Sequence, residues 1–208
     1  MSVELSALTA ELPIGNGANR SVIETTGIIR AEGSARAFRD ELPVYLNVAG
    51  GAAAPDEENH TIGGVARRLY CFNGAATEER LSGSFEIPHD YAYGTEIEIH
   101  VHFRPTTNDA GNVEWFFDWE HSPAQSAPEA QTTLSAVIPI LADTQYHHYV
   151  KTIGVLPANG YALGDKIGFN IRRTPNGDND TYGADVAWEQ IAMHIQVDTH
   201  GSRQRYVK

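Results

Sequence analysis

The chain has 208 residues, 41% hydrophobic and 9% aromatic, enough to bury a core in one domain with appendages. With 15 Lys and Arg against 27 Asp and Glu, a net charge of -12 and a pI near 5.1, it is not built to bind phosphate backbones or anionic lipid. A single cysteine, Cys71, excludes an internal disulfide framework and an all-cysteine zinc site, and reads as a small buried apolar residue.

Residues 1–17 lack both a basic n-region and a continuous apolar h-region, and no later stretch reaches the roughly 20 apolar residues that span a bilayer. A soluble protein made in the cytoplasm, with no membrane or nucleic-acid partner, is the expectation. Residues 1–60 are rich in small residues and interrupted by Pro13, Gly15, Gly17, Gly27, Gly33 and Pro43. They read as an extended arm that docks on something else, or as a terminus packed over its own domain. Within this segment Ala31 to Leu42 predicts a short helix with Phe38 and Leu42 on one face, and Ala49 to Asn59 reads as a loop.

From Val65 onward, β-branched and aromatic runs alternate with Gly, Pro, Asn and Asp, an all-β signature. Strands are predicted at Arg67 to Phe72, Leu81 to Ile87, Thr95 to Phe103, Asn112 to Glu120, Thr132 to Ile140, Tyr146 to Val155, Lys166 to Arg173 and Asp185 to Val197. In Thr95 to Phe103, Ile97, Ile99, Val101 and Phe103 alternate with Glu96, Glu98, His100 and His102, which gives one apolar and one polar face. The next strand sets Val113, Trp115, Phe117 and Trp119 on one face and follows the turn Asn108 to Asn112, so the two read as a hairpin. In the last strand the apolar parity slips between Trp188 and Ile191, which places a bulge near Glu189. The fold class is therefore all-β, an antiparallel β-sandwich of jelly-roll type over residues 61–198, with an extended N-terminal arm over 1–60 and a polar tail over 199–208.

Two clusters carry candidate metal chemistry. His100 and His102 lie two residues apart on one strand face, a spacing suited to bidentate capture of a transition metal; an exposed polar face or a protonation-sensitive subunit contact reads the same residues differently. The loop Pro175 to Thr181 concentrates Asp178, Asn179 and Asp180, oxygen ligands of the kind calcium prefers, without the spacing of an EF-hand; plain turn chemistry explains it as well. His147 and His148 are adjacent, alternate in direction along a strand and cannot serve one site together. The aromatics Trp115, Phe117, Trp119, Tyr91, Tyr93 and Tyr161 read as core, or as a sugar-binding face. No nucleophile elbow, phosphate-binding glycine loop or zinc-protease helix is present, so the expectation is a non-enzyme that needs no cofactor. Arg203, Arg205 and Lys208 reverse the local charge at the C-terminus and are the candidate partner-binding residues.

The segment Gly94-Thr-Glu-Ile-Glu-Ile-His-Val-His102 resembles the opening of the metal-binding cupin motif, which implies a jelly-roll barrel and a metalloenzyme using His100 and His102. Where that motif continues to a glutamate this chain has Thr106, Thr107, Asn108 and Asp109, and the second cupin motif is absent. Gly94 to Phe103, Gly111 to Glu120 and Ala184 to Gln204 together resemble a family of virion structural proteins encoded among the head and tail genes of tailed bacteriophages. This resemblance implies a capsid-associated or tail-associated assembly protein without catalytic residues; a place at the capsid surface of a virion assembled in the host bacterial cytoplasm is the expectation. Its implied partners are the major capsid protein or other virion proteins, and a decoration or cement role, commonly as a homotrimer, fits the arm and the charged tail. A head-spike, neck or tail-fibre-base component with host-receptor or carbohydrate binding is the alternative.

Overall fold

Fourteen strands and no helix make up the described part of the chain, residues 11–14, 20–25, 29–32, 38–41, 45–47, 54–75, 78–175 and 177–198 of a computed structural model. In chain order the strands are β1 (Leu12–Ile14), β2 (Arg20–Ile23), β3 (Ile29–Glu32), β4 (Phe38–Glu41), β5 (Tyr45–Asn47), β6 (Asp56–Ile62) and β7 (Val65–Phe72). They continue with β8 (Glu79–Glu86), β9 (Ile97–Pro105), β10 (Gly111–Ser122), β11 (Thr132–Ile140), β12 (Tyr149–Leu156), β13 (Lys166–Arg173) and β14 (Val186–Val197).

Two large sheets face each other. The first runs β12-β9-β14-β7-β6 with β4 added to β14, and the second runs β11-β10-β13-β8-β5. All of the pairings are antiparallel. From β7 to β14 every consecutive pair of strands lies in opposite sheets, except the pair β10 and β11. The inner orders β7-β14-β9-β12 and β8-β13-β10-β11 are those of a jelly roll. The chain is thus an antiparallel β-sandwich of jelly-roll type, as the strand number and spacing predict.

Alternation fills the space between the sheets. Ile97, Ile99, Val101 and Phe103 of β9 are fully buried, as are Val113, Trp115 and Phe117 of β10 and Ile167 and Ile171 of β13. Trp115 ties the sheets together, its ring 4.9 Å from that of Phe72 and 5.6 Å from that of Phe103, both on the opposite sheet. Tyr91 and Tyr161 join this core, whereas Tyr93 is half exposed.

Three local expectations are corrected. β9 and β10 are not a hairpin: β9 pairs with β12 and β14, and β10 pairs with β11 and β13, so residues 106–110 arch from one sheet to the other. Both strands have inner faces rich in large apolar groups, and those faces meet across the sandwich rather than side by side. The predicted helix over Ala31 to Leu42 is replaced by β3 and β4, and the backbone of Phe38 to Glu41 pairs with His194 to Val197, a tertiary ladder that overrides local propensity. The loop expected to run to Asn59 gives way at Asp56 to β6, a charged strand at the sheet edge. β6 therefore spans the expected 60/61 boundary, and β4 and β5 of the expected arm pair with the large sheets.

Strands β1, β2 and β3 form a separate three-stranded antiparallel sheet. Arg20 and Glu32 face each other across it at 2.6 Å, and Arg30 bridges to Glu11 at 2.9 Å and Glu24 at 3.0 Å.

Candidate functional site: a histidine row on the outer face

Period two leaves Glu98, His100, His102 and Arg104 on the outer face of β9, opposite the core residues. Two irregularities flank this strand. The register of β14 against β9 shifts between Trp188 and Gln190, the bulge that the parity slip predicts, and the register of β12 against β9 shifts between Thr152 and Gly154. A bulge re-aims the side chain it carries. Glu189, in the first bulge, receives Arg104 Nε at 3.0 Å and Arg67 Nη1 at 2.5 Å, and lies 3.5 Å from His148 Nε2.

Four imidazoles run across this face in ring contact. His194 stacks on His100 at 4.4 Å between centroids, His100 meets His102 at 4.9 Å, and His102 meets His148 at 5.1 Å. His102 Nδ1 and His148 Nε2 are 3.0 Å apart, within hydrogen-bond distance. His100 lies between two rings and is only 6% exposed, although it is on the outer side of the sheet. At the His194 end, Glu96, Glu98, Val155, His194 and Gln196 line a cleft of about 170 Å³, and Glu98 accepts a hydrogen bond from Thr152 Oγ1 at 2.9 Å. Burial pushes the Glu189 carboxyl up, but Arg104, Arg67 and His148 outweigh it and hold the group below the ordinary glutamate range.

The sequence pair His100 and His102 is thus brought together, and two further histidines join it. His194 is signalled in sequence by the outward parity of β14 after its bulge. His148 carries no such signal, because it precedes β12 and is placed by the loop before that strand. In that loop Asp143 and Tyr146 adopt positive φ angles of 61° and 59°. The loop is clamped by Asp143 N–H donating to Asn108 O at 3.0 Å, Tyr146 N–H to Pro105 O at 2.8 Å and Gln145 Nε2 to Thr106 O at 2.6 Å.

The row does not gather three ligands on one point. Among the described residues, Glu58, His60 and Cys71 are the one group of three such donors lying within 4.8 Å of one another. What the row offers is a line of imidazoles in ring contact edged by carboxylates.

The predicted ligands Asp178 and Asp180 lie in different surroundings. Asp180 is 3% exposed and grips Arg173, itself fully buried, through two bonds of 2.9 Å, and its Oδ2 also accepts the Glu114 N–H at 3.0 Å. Arg173 donates further to the carbonyls of Phe72 at 3.2 Å, Ala184 at 2.8 Å and Tyr182. The Asp180 oxygens thus neutralise a buried guanidinium, while Asp178 is exposed in the same loop. The candidate partner residues Arg203, Arg205 and Lys208 lie outside the described residues. A second buried carboxylate, Asp165, accepts the N–H groups of Ala124 and Ala162, both at 2.8 Å, and contacts His121 Nε2 at 2.9 Å, so it fastens two loops together.

No family model matches this sequence, and no curated protein does. Similar solved structures include a carbohydrate-binding module specific for non-crystalline cellulose, with 11% identity and a TM-score of 0.37 over 76% of this chain and 88% of that one. Another is that of infectious bursal disease virus, Gx strain, with 10% identity and a TM-score of 0.39 over 94% of this chain and 39% of that one. An arabinose-bound α-L-arabinofuranosidase matches with 11% identity and a TM-score of 0.34 over 90% of this chain and 27% of that one.

Proposed function

We propose that the chain is a non-enzymatic virion structural protein of a tailed bacteriophage that docks on capsid subunits as a decoration or cement protein and acts as a homotrimer. The observation that carries this reading is how the N-terminal residues attach. β4 adds four residues to the C-terminal half of β14, β5 adds three to β8, and β1 to β3 fold into their own small sheet. A chain that joins sheets by short backbone ladders can make the same ladders with a neighbouring subunit, and several weak ladders give strong binding once the neighbours are fixed in a lattice. The resemblance of Gly94 to Phe103, Gly111 to Glu120 and Ala184 to Gln204 to phage head and tail proteins supports the same reading. The histidine row supplies a second contact face, with its carboxylates at either end.

Deletion of residues 1–36 removes β1 to β3 and spares β4, β5 and β6. The shortened chain is expected to keep its β-sheet circular dichroism and cooperative melting and to be missing from gradient-purified particles by quantitative mass spectrometry. Unchanged occupancy would overturn the arm-docking role. Copy number separates the positions: a number tied to the capsid subunits supports decoration, and a handful per particle supports a vertex, neck or tail part instead.

A further inference from the structure

The edge of the first sheet holds a second cluster, independent of the histidine row and of the reading above. We infer that Glu58, His60 and Cys71 bind one divalent ion of the zinc class, with Tyr146 supporting the site from behind.

Strand geometry brings the ligands together. On β6, Glu58 and His60 are two residues apart and share a face, and on the paired β7 the residue opposite Asp56 is Cys71, so its side chain lies on that same face. His60 Nε2 is 3.0 Å from Cys71 Sγ and 3.4 Å from Glu58 Oε2. With metal bonds of about 2.0–2.1 Å to nitrogen, 2.3 Å to sulfur and 2.0–2.2 Å to a carboxylate oxygen, a tetrahedral site has edges of about 3.4 Å for N···O and about 3.5 Å for N···S. The first edge already has this length, and the second needs about half an ångström of opening. His60 and Cys71 are buried whereas Glu58 is half exposed, so the solvent side of Glu58 leaves room for a fourth ligand.

The supporting shell is present as well. A metal-bound histidine uses its second nitrogen to fix ring orientation. His60 Nδ1 lies 3.1 Å from the Tyr146 hydroxyl, with the two rings edge to face. Tyr146 is itself held by its N–H on the Pro105 carbonyl and by Arg104 Nη1, which donates to the Tyr146 carbonyl at 2.6 Å. The surroundings are anionic: burial first, and then the charges of Glu58, Asp185 and Glu79, push the Cys71 thiol up. A dication reverses that balance, and Cys71 then binds as thiolate, releasing its proton to solvent. A thiolate, an imidazole and one carboxylate suit zinc, whereas calcium and magnesium take oxygen ligands.

The test uses the full chain and cobalt as a spectroscopic stand-in for zinc. One equivalent of Co²⁺ is expected to give a near-ultraviolet thiolate-to-cobalt absorption that one equivalent of Zn²⁺ displaces. Cys71→Ser should abolish that band, Tyr146→Phe should weaken binding about tenfold through loss of the outer hydrogen bond, and the pair His100→Ala and His102→Ala should leave it unchanged. Zinc should also slow alkylation of Cys71, the single cysteine, in the unmodified chain, so the idea stays testable if Cys71→Ser fails to fold. Absence of bound cobalt, binding without the thiolate band, binding lost with the His100 and His102 pair, or an alkylation rate indifferent to zinc would each overturn the site.

Discussion

Replacing Asp180 by alanine removes the carboxylate that faces Arg173 and leaves a guanidinium with no solvent access and, among the described residues, no carboxylate in ion-pair contact. Arg173 keeps its bonds to the carbonyls of Phe72, Tyr182 and Ala184, but those dipoles do not cancel its charge. Breaking one side of a buried pair costs about 3–5 kcal/mol. The Glu114 N–H, which Asp180 also satisfies, adds about 1 kcal/mol when orphaned. A loss of about 4–6 kcal/mol is a large part of the roughly 5–15 kcal/mol that holds a domain together. At about 2–4 °C per kcal/mol for a chain of this size, the melting temperature should fall by about 8–24 °C. Thermal melts followed by circular dichroism measure it, with Asp178→Ala, exposed in the same loop, expected within about 0.5 kcal/mol of the parent. The double variant Arg173→Met with Asp180→Leu should recover part of the loss, because it removes the stranded charge, and not all of it, because three carbonyls lose their donor. A shift under about 1 kcal/mol for Asp180→Ala would refute the reasoning, since it falls below the cost of stranding a buried charge. So would a parent chain that loses as much stability to a calcium chelator as to the substitution, which would make Asp180 a ligand after all.

Acid should unfold the protein through its partnered carboxylates. In Asp118, Asp165 and Glu189 burial pushes the carboxyl up, but the partners, Arg172 and Thr133, Ala124 and Ala162 with His121, and Arg104 with Arg67, hold all three below the ordinary range. Their stabilisation is complete above the unfolded value near 4 and drains away as pH falls through the lower folded values; melting temperature should drop as pH falls below about 4, less steeply in Asp165→Asn. In the histidine row, His100→Ala should cost about 1–3 kcal/mol in urea unfolding because its ring is enclosed, whereas the more exposed His148→Ala should cost under about 1 kcal/mol. A methyl group at Gly111 would stand 2.8 Å from Tyr182 Cα, so Gly111→Ala should destabilise by about 1–3 kcal/mol. At Gly168 the same methyl meets the flexible Glu120 side chain, and Gly168→Ala should melt within a few degrees of the parent.

Alternation in the sequence identifies faces well and partners poorly. The stretches Thr132 to Ile140 and Lys166 to Arg173 are strands with the ends that the pattern predicts, and the parity slip at Glu189 is a real bulge. Those features depend on burial, which leaves a period-two trace in the chain itself. Whether β9 pairs with β10 leaves no such trace, because an arch over the core and a tight hairpin demand the same apolar parity and similar turn residues. β6 is hidden for a related reason: Asp56, Glu57, Glu58 and Asn59 have the polarity of a loop, and only the ladder with β7 makes them a strand. The site is legible to the same extent. His100 and His102 are visible as a pair because they lie on one strand, whereas His194 and His148 come from other elements, and Glu58, His60 and Cys71 meet only through the β6–β7 register.

The ladder between β4 and β14 also bears on how the molecule is made. Phe38 to Glu41 is synthesised early, but its partner, His194 to Val197, lies in the final strand. Until β14 leaves the ribosome the leading segment has no ladder to complete within its own chain. Closure of the first sheet is thus among the last events of folding, as expected where distant pairings must wait for long loops to close. During that interval the outer edge at the C-terminal end of β14 and the backbone of Phe38 to Glu41 each wait for the other's hydrogen bonds.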